Sequence, residues 1–183
     1  VGGEGFLNRI IAPLHYDAIM ERQIVKRFFQ HMAWANNRML TILENLPDEA
    51  VNFSAWNPDW TVGTIAHHIV ISEGRLISRI TNQPKPMESE PPHSALEISQ
   101  LIEISSKLDE KMLTLIDDLD KLPSIIEFGN EVEFHTSTIF AQAVHHAAEH
   151  RAQISDILAA NNMDLLNLDE IDLWAFEKWE KSR

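Results

Sequence analysis

Residues 136–161 read TSTIFAQAVHHAAEHRAQISDILAAN, and this stretch decides the fold. Apolar residues recur in it every three or four positions, which is the spacing of an amphipathic helix. The same periodicity predicts three further long helices, at 17–46, 61–80 and 94–122. Four such helices in a chain of 183 residues predict an all-α fold, a four-helix bundle around one core.

Local signals mark where these helices begin and end. Thr61 is a typical N-cap, and Ser94 with Glu97 has the spacing of a capping box. Pro47 and Pro123 follow the first and third helices and are expected to end them.

The connections between the helices add a hairpin and a crossover. Gly129 and Asn130 separate two short apolar runs, which predicts a small β-hairpin just before the last long helix. Residues 81–93 could stretch to about 40 Å, enough to join the second and third helices in parallel. A short helix is predicted from about Asp169 onward.

The first residues follow a different pattern from the bundle. Pro13 is expected to interrupt a helix, so residues 1–19 are interpreted as an N-terminal arm or leader. Residues 20–183 then form the bundle domain.

Composition excludes several classes of function. The net charge of −13, from 15 basic and 28 acidic residues, argues against a nucleic-acid partner. No apolar run approaches the roughly 20 residues of a membrane span, and no signal peptide is evident, so we expect no membrane partner and a cytoplasmic location. The chain has nine histidines and no cysteine, which excludes disulfides, a cysteine nucleophile and thiolate metal sites. Chemistry based on imidazole remains open.

The last long helix contains the densest group of histidines. His146 and His150 lie one turn apart and face the bundle or its rim, whereas His145 faces solvent. In the second helix His68 lies slightly closer to the apolar stripe than His67. If His68 faces the other pair, three imidazoles could hold Zn²⁺, Ni²⁺ or Fe²⁺ and leave positions open for water or substrate.

Other polar residues have two interpretations each. His31, at the edge of the first helix's apolar stripe, is either a rim histidine or a catalytic proton shuttle or spare ligand. Glu73 lies within the apolar stripe of the second helix and needs a partner. That partner would be a cation such as Arg151, or a histidine ligand that Glu73 orients from the second shell. Trp56 and Trp60 either pack in a loop or wall a pocket over the metal.

The residues from His146 to His150 also spell His-x-x-Glu-His, the arrangement of the inverted zincins, in which Glu149 would be the general base of a protease. However, Glu149 projects about 140° away from the apolar stripe of its helix. The protease interpretation is therefore disfavoured.

Three motifs together resemble the DinB/YfiT-like family of bacterial metalloproteins over roughly residues 20–179. They are His-x-x-x-His-Arg-x-Gln-Ile from His146, Thr-Val-Gly-x-x-x-x-His-x-x-x-x-Glu from Thr61, and Trp-Ala-Asn from Trp34. The chain has Ala152 where that family often has glycine.

This resemblance implies a bundle of up-down-down-up order, often dimeric, with a divalent metal that is commonly nickel or zinc. The matching ligands here are His68, His146 and His150. Some similar proteins are S-transferases that use a low-molecular-weight thiol such as bacillithiol or mycothiol. We therefore expect a metal-dependent enzyme, such as a thiol S-transferase, acting on a small molecule as a homodimer. The alternatives are a metal-dependent hydrolase, with His31 or a carboxylate as base, and a non-catalytic metal-binding stress-response protein.

Overall fold

The computed structural model describes residues 4–85, 89–128 and 132–183, with side chains described from Met20 onward. The elements, in order, are α1 (Glu4–Glu44), α2 (Asp48–Val51), α3 (Val62–Thr81), α4 (Ala95–Asp117), β1 (Ile125–Phe128), β2 (Val132–His135), α5 (Thr136–Ala160) and α6 (Leu173–Lys181). The four long helices α1, α3, α4 and α5 form the predicted bundle. No helix in this described part of the chain is long and apolar enough to cross a membrane.

The predicted helix starts in the middle of the chain are confirmed. The Thr61 side chain accepts a hydrogen bond from the Thr64 backbone N–H at 3.1 Å, which caps α3. Ser94 caps α4 by accepting from the Glu97 N–H. The Glu97 carboxylate reaches back to the His93 N–H at 2.7 Å, one residue before the cap.

Two boundaries differ from prediction. Helix α1 begins at Glu4, so Pro13 lies inside it and the predicted interruption there is wrong. A proline within a helix removes one intrahelical hydrogen bond, but the residues on either side can keep helical geometry. The division into an arm at 1–19 and a bundle at 20–183 stays a prediction. Near the other end, residues Leu168–Glu170 form only a 3₁₀ turn, and α6 begins after its cap at Asp172.

The hairpin lies between α4 and α5. Strand β1 pairs with β2 in antiparallel register, with Phe128 opposite Val132. The predicted turn at Gly129 and Asn130 lies outside the described residues. The ribbon places the start of α5 against the bundle, because Thr136 continues directly from β2.

Two contacts show that α1 and α4 run in opposite directions. Ser99, near the start of α4, donates to Glu44 at the end of α1 at 2.7 Å. Lys26 pairs with Asp117, at the end of α4, at 2.6 Å. Asn36 meets Arg151, so α1 and α5 approach one another at this level.

Helices α3 and α4 begin at the same end of the bundle. A Cβ on Gly63 would lie 2.2 Å from the Pro92 carbonyl oxygen, so only glycine permits this close approach. By contrast, Trp60 contacts Gln153 and His68 contacts His146, so α3 runs antiparallel to α5. The order is therefore up-down-down-up, and the long connection before α4 is the predicted crossover.

The core fills the space between the four long helices. Its largest fully buried side chains are Phe29, Met32, Met39, Leu40, Leu43, Ile65, Ile77, Ile98, Met112, Ile116, Ile154 and Leu158. Helix α6 covers one side of α1, where Phe176 packs among Trp34, Trp179 and His31. The core fixes the register of α3 against α5, and this register positions the histidines described next.

Candidate metal centre

Three half-buried imidazoles converge between α3 and α5. His146 and His150 lie one turn apart on α5, and the antiparallel α3 brings His68 opposite them. The Nε2 atom of His146 lies 2.9 Å from His68 Nε2 and 3.1 Å from His150 Nε2. The structure therefore brings together the three histidines that the sequence singled out.

The donor set fits a divalent metal ion. For tetrahedral coordination at about 2.0–2.1 Å, two ligand nitrogens lie about 3.3 Å apart, close to the two Nε2 separations in this cluster. One ligand nitrogen from each ring falls within 4.8 Å of the others. Three imidazoles also leave a coordination position for a water or a substrate, which is typical of catalytic sites.

The environment favours the neutral form of His68 and His146. Burial, followed by the proximity of His146 and His150, lowers the pKa of His68 to about 4. Burial, followed by the proximity of His150, also lowers the pKa of His146. Neutral imidazole is the form that binds metal, so the site is ready to accept an ion near neutral pH.

A glutamine and a tryptophan orient His150. The Gln153 side-chain oxygen accepts from His150 Nδ1 at 2.8 Å and from the Trp60 indole N–H at 3.2 Å. Since an amide oxygen only accepts, Nδ1 carries the ring proton and Nε2 presents its lone pair to the cluster. The Trp60 ring also packs edge-on against His68 and His150. Sequence reasoning gave Gln153 no role, although its position three residues after His150 was a usable signal.

The histidines next to these ligands in the sequence, His67 and His145, lie outside the cluster. His145 is exposed, as predicted, and its Nδ1 lies 3.3 Å from a Glu149 carboxylate oxygen. His67 contacts Ser89 at 3.1 Å. Because Glu149 lies beside His145 on the surface, the geometry does not support the general-base role of an inverted zincin.

Glu73 lies in the core without the predicted cation. It is 4% exposed, and neither carboxylate oxygen has a hydrogen-bond partner. The expectation of an ion pair with Arg151 is wrong, because the Arg151 guanidinium donates to Asn36 at 2.6 Å instead. No direct hydrogen bond joins Glu73 to a histidine, but Glu73, Asn36 and His146 line one small cavity of about 10 Å³.

Asp109 on α4 is the charged neighbour of Glu73. One of its oxygens accepts from Ser105 at 3.3 Å, and the other is buried without a partner. Burial raises the pKa of Asp109 to about 7. Burial and the nearby Asp109 raise the pKa of Glu73 well above its usual range. The two carboxyls therefore keep protons to higher pH than exposed acids do.

His31 lies away from the three converging histidines, under α6. Its Nε2–H donates to the Ile171 carbonyl at 2.8 Å, and its ring packs against Trp34 and Phe176. This bond occupies Nε2, so only Nδ1 is left for the proton shuttling considered above.

Comparison with known proteins identified a family and a similar solved structure. The DinB superfamily profile matches residues 31–154, which include all three clustered histidines. A solved structure, a DinB-like protein from Bacillus cereus ATCC 10987, is similar with a TM-score of 0.56 and 19% identity, covering 73% of this chain and 87% of that one. At that identity the likeness concerns the fold alone. Among the curated proteins, none matched.

Proposed function

We propose that this chain, which belongs to the DinB superfamily, binds one divalent metal ion through His68, His146 and His150. The observation that carries the proposal is the convergence of three imidazoles, with Nε2 separations of 2.9 and 3.1 Å about His146. We propose nickel or zinc as the ion, and iron fits the same donors, because imidazole suits all three.

The proposed activity is transfer of a low-molecular-weight thiol to a small electrophile. A metal bound at this site would supply acidification of the thiol, whose sulfur must come from a cosubstrate because the chain has no cysteine. Gln153 and Trp60 hold His150 in the orientation that presents Nε2. Glu73 and His146 line the same small cavity, which supports a role for the Glu73 carboxyl in positioning the His146 ring.

A homodimer is part of this proposal. Met20, Ile24 and Phe28 form an exposed apolar row on α1, spaced four residues apart. The row borders an apolar groove of about 870 Å³ between α1 and α5. Light scattering should give twice the chain mass, and Phe28→Glu should shift the protein toward the monomer.

Metal content and conjugation test the proposed function. The purified full chain should bind one equivalent of Ni²⁺ or Zn²⁺, and His68→Ala and His146→Ala should lose it. His145→Ala, a matched change on the exposed side of α5, should keep it. Metal-loaded protein should then conjugate bacillithiol-type thiols to a chromogenic electrophile. If the protein binds metal but conjugates none of several thiols, the metal site would be supported and the transferase activity rejected.

A further inference from the structure

An ordered loop next to the histidine cluster holds a tryptophan out in solvent. Residues 54–61 are closed by a bridge between Ser54 and Thr61. Inside the loop, Asn57 accepts from the backbone N–H groups of Asp59 and Trp60, each at 3.0 Å. Trp56 is nonetheless 85% exposed. These internal hydrogen bonds order the backbone that carries Trp56, although the indole itself gains little from packing.

Trp56 forms one wall of a cavity of about 160 Å³ between this loop and α5. Trp60 and Gln153 form the side nearest the histidines, and Asp156 with the buried Ile157 completes the α5 side. Cavities for drug-sized ligands measure about 300–1,000 Å³, so this one has room for a single functional group.

The lining favours a positive charge. The Asp156 carboxylate is exposed and has no hydrogen bond or ion pair with any residue in the described ranges. Two indoles line the same space, and their ring faces attract cations. No basic residue lines the cavity, and the chain as a whole carries a net charge of −13. We propose that this cavity binds an ammonium group.

The position of the cavity connects it to the proposed reaction. Trp60 and Gln153 line the cavity and also contact His150. Asp156 lies six residues after His150, about 9 Å along the axis of α5. The substrate class is therefore a small organic cation whose ammonium group lies within about that distance of its reacting atom. This assignment of a substrate rests on the proposed function, but binding of the cation itself requires no metal.

Titration with a cation and its neutral isostere tests the proposal. Choline, and 3,3-dimethyl-1-butanol as the uncharged counterpart, would be added to the metal-free and metal-loaded full chain at constant ionic strength. Calorimetry and tryptophan fluorescence would follow binding. Choline should bind, with the neutral alcohol at least about threefold weaker. Equal binding of the two, or no binding of choline, would overturn the proposal.

Paired variants locate the site. Asp156→Asn and Trp56→Leu should each weaken choline binding about threefold or more. Asp164→Asn and Trp174→Leu make the same chemical changes at exposed positions outside the cavity and should leave binding unchanged. Equal effects of test and control variants would refute the assignment. His146→Ala separates the two proposals, because it should lose metal and still bind choline.

Discussion

Helix α3 contributes to two polar clusters in which burial shifts pKa values in opposite directions. His68 joins two other half-buried rings, and burial together with the nearby His146 and His150 lowers its pKa to about 4, so this ring is neutral and offers a lone pair. Five residues later, Glu73 meets Asp109 in the core, and burial raises the pKa of both carboxyls. Burial therefore favours the form of His68 and His146 that can bind a cation, whereas the two carboxyls retain their protons because no cation among the described residues pairs with them.

The difference shows what makes a buried polar group a candidate ligand. The histidines point their Nε2 atoms at one another, and Gln153 fixes the ring proton of His150 on the far side. The carboxyls lack such an arrangement, and three of their four oxygens are buried without partners. Because a lone buried carboxylate is costly, the carboxyl pair reduces stability when it ionises.

Removing one ligand should have the largest effect. His146→Ala should weaken Ni²⁺ or Zn²⁺ binding by at least about 100-fold, because loss of a direct ligand should exceed the 10–100-fold typical of outer-shell changes. Competition with a chromogenic chelator measures the affinity. Glu73→Gln should change it less. If Glu73→Gln matched His146→Ala, the clusters would not be functionally separate.

Removing an acid from the carboxyl pair should stabilise the fold. The folded state of Asp109 holds its proton up to about pH 7, whereas the unfolded chain releases it near pH 4, so stability falls as pH rises through this window. Asp109→Asn cannot ionise and should exceed the parent by about 2 kcal/mol in free energy of unfolding at pH 8, with little gain at pH 4. Glu110→Gln, an exposed neighbour, is the control. A gain independent of pH would contradict ionisation as the cause.

The histidines should give a smaller dependence of the opposite sign. In metal-free protein the unfolded chain protonates His68 near pH 6.5, but the folded state resists protonation down to about pH 4. Stability contributed by this group is therefore lost as pH falls through that window. Urea unfolding measured at pH 7 and at pH 5 gives the free energy of unfolding lost between the two. This loss should be about 1 kcal/mol smaller for His68→Gln than for the parent. His145→Gln should lose as much stability as the parent. Equal losses of stability in all three proteins would contradict the lowered pKa of His68.

Much of the fold could be predicted from local patterns. The caps at Thr61 and Ser94 and the apolar stripes depend on neighbouring residues, so the sequence alone determines them. The path of α1 through Pro13 could not be predicted, because helix propensity treats a proline as a break and does not weigh the helical residues on both sides.

The candidate site, too, could be predicted from the sequence only in part. Helical spacing paired His146 with His150, but it left His67 and His68 close competitors. The family resemblance favoured His68, and the register of α3 against α5 brings His68 beside His146. Glu73 shows the limit more sharply. The stripe correctly predicted its burial, but its neighbour Asp109 comes from α4, and only tertiary packing reveals that two acids meet.

X-ray absorption of the metal-loaded protein tests the central claim most directly. We predict three imidazole nitrogens bound to Zn²⁺ at about 2.0–2.1 Å, with one exchangeable oxygen donor such as water as the fourth ligand. In His68→Ala the spectrum should lose one imidazole. A first shell made mainly of carboxylate oxygens, or an unchanged spectrum in His68→Ala, would contradict the assignment of the metal to this cluster.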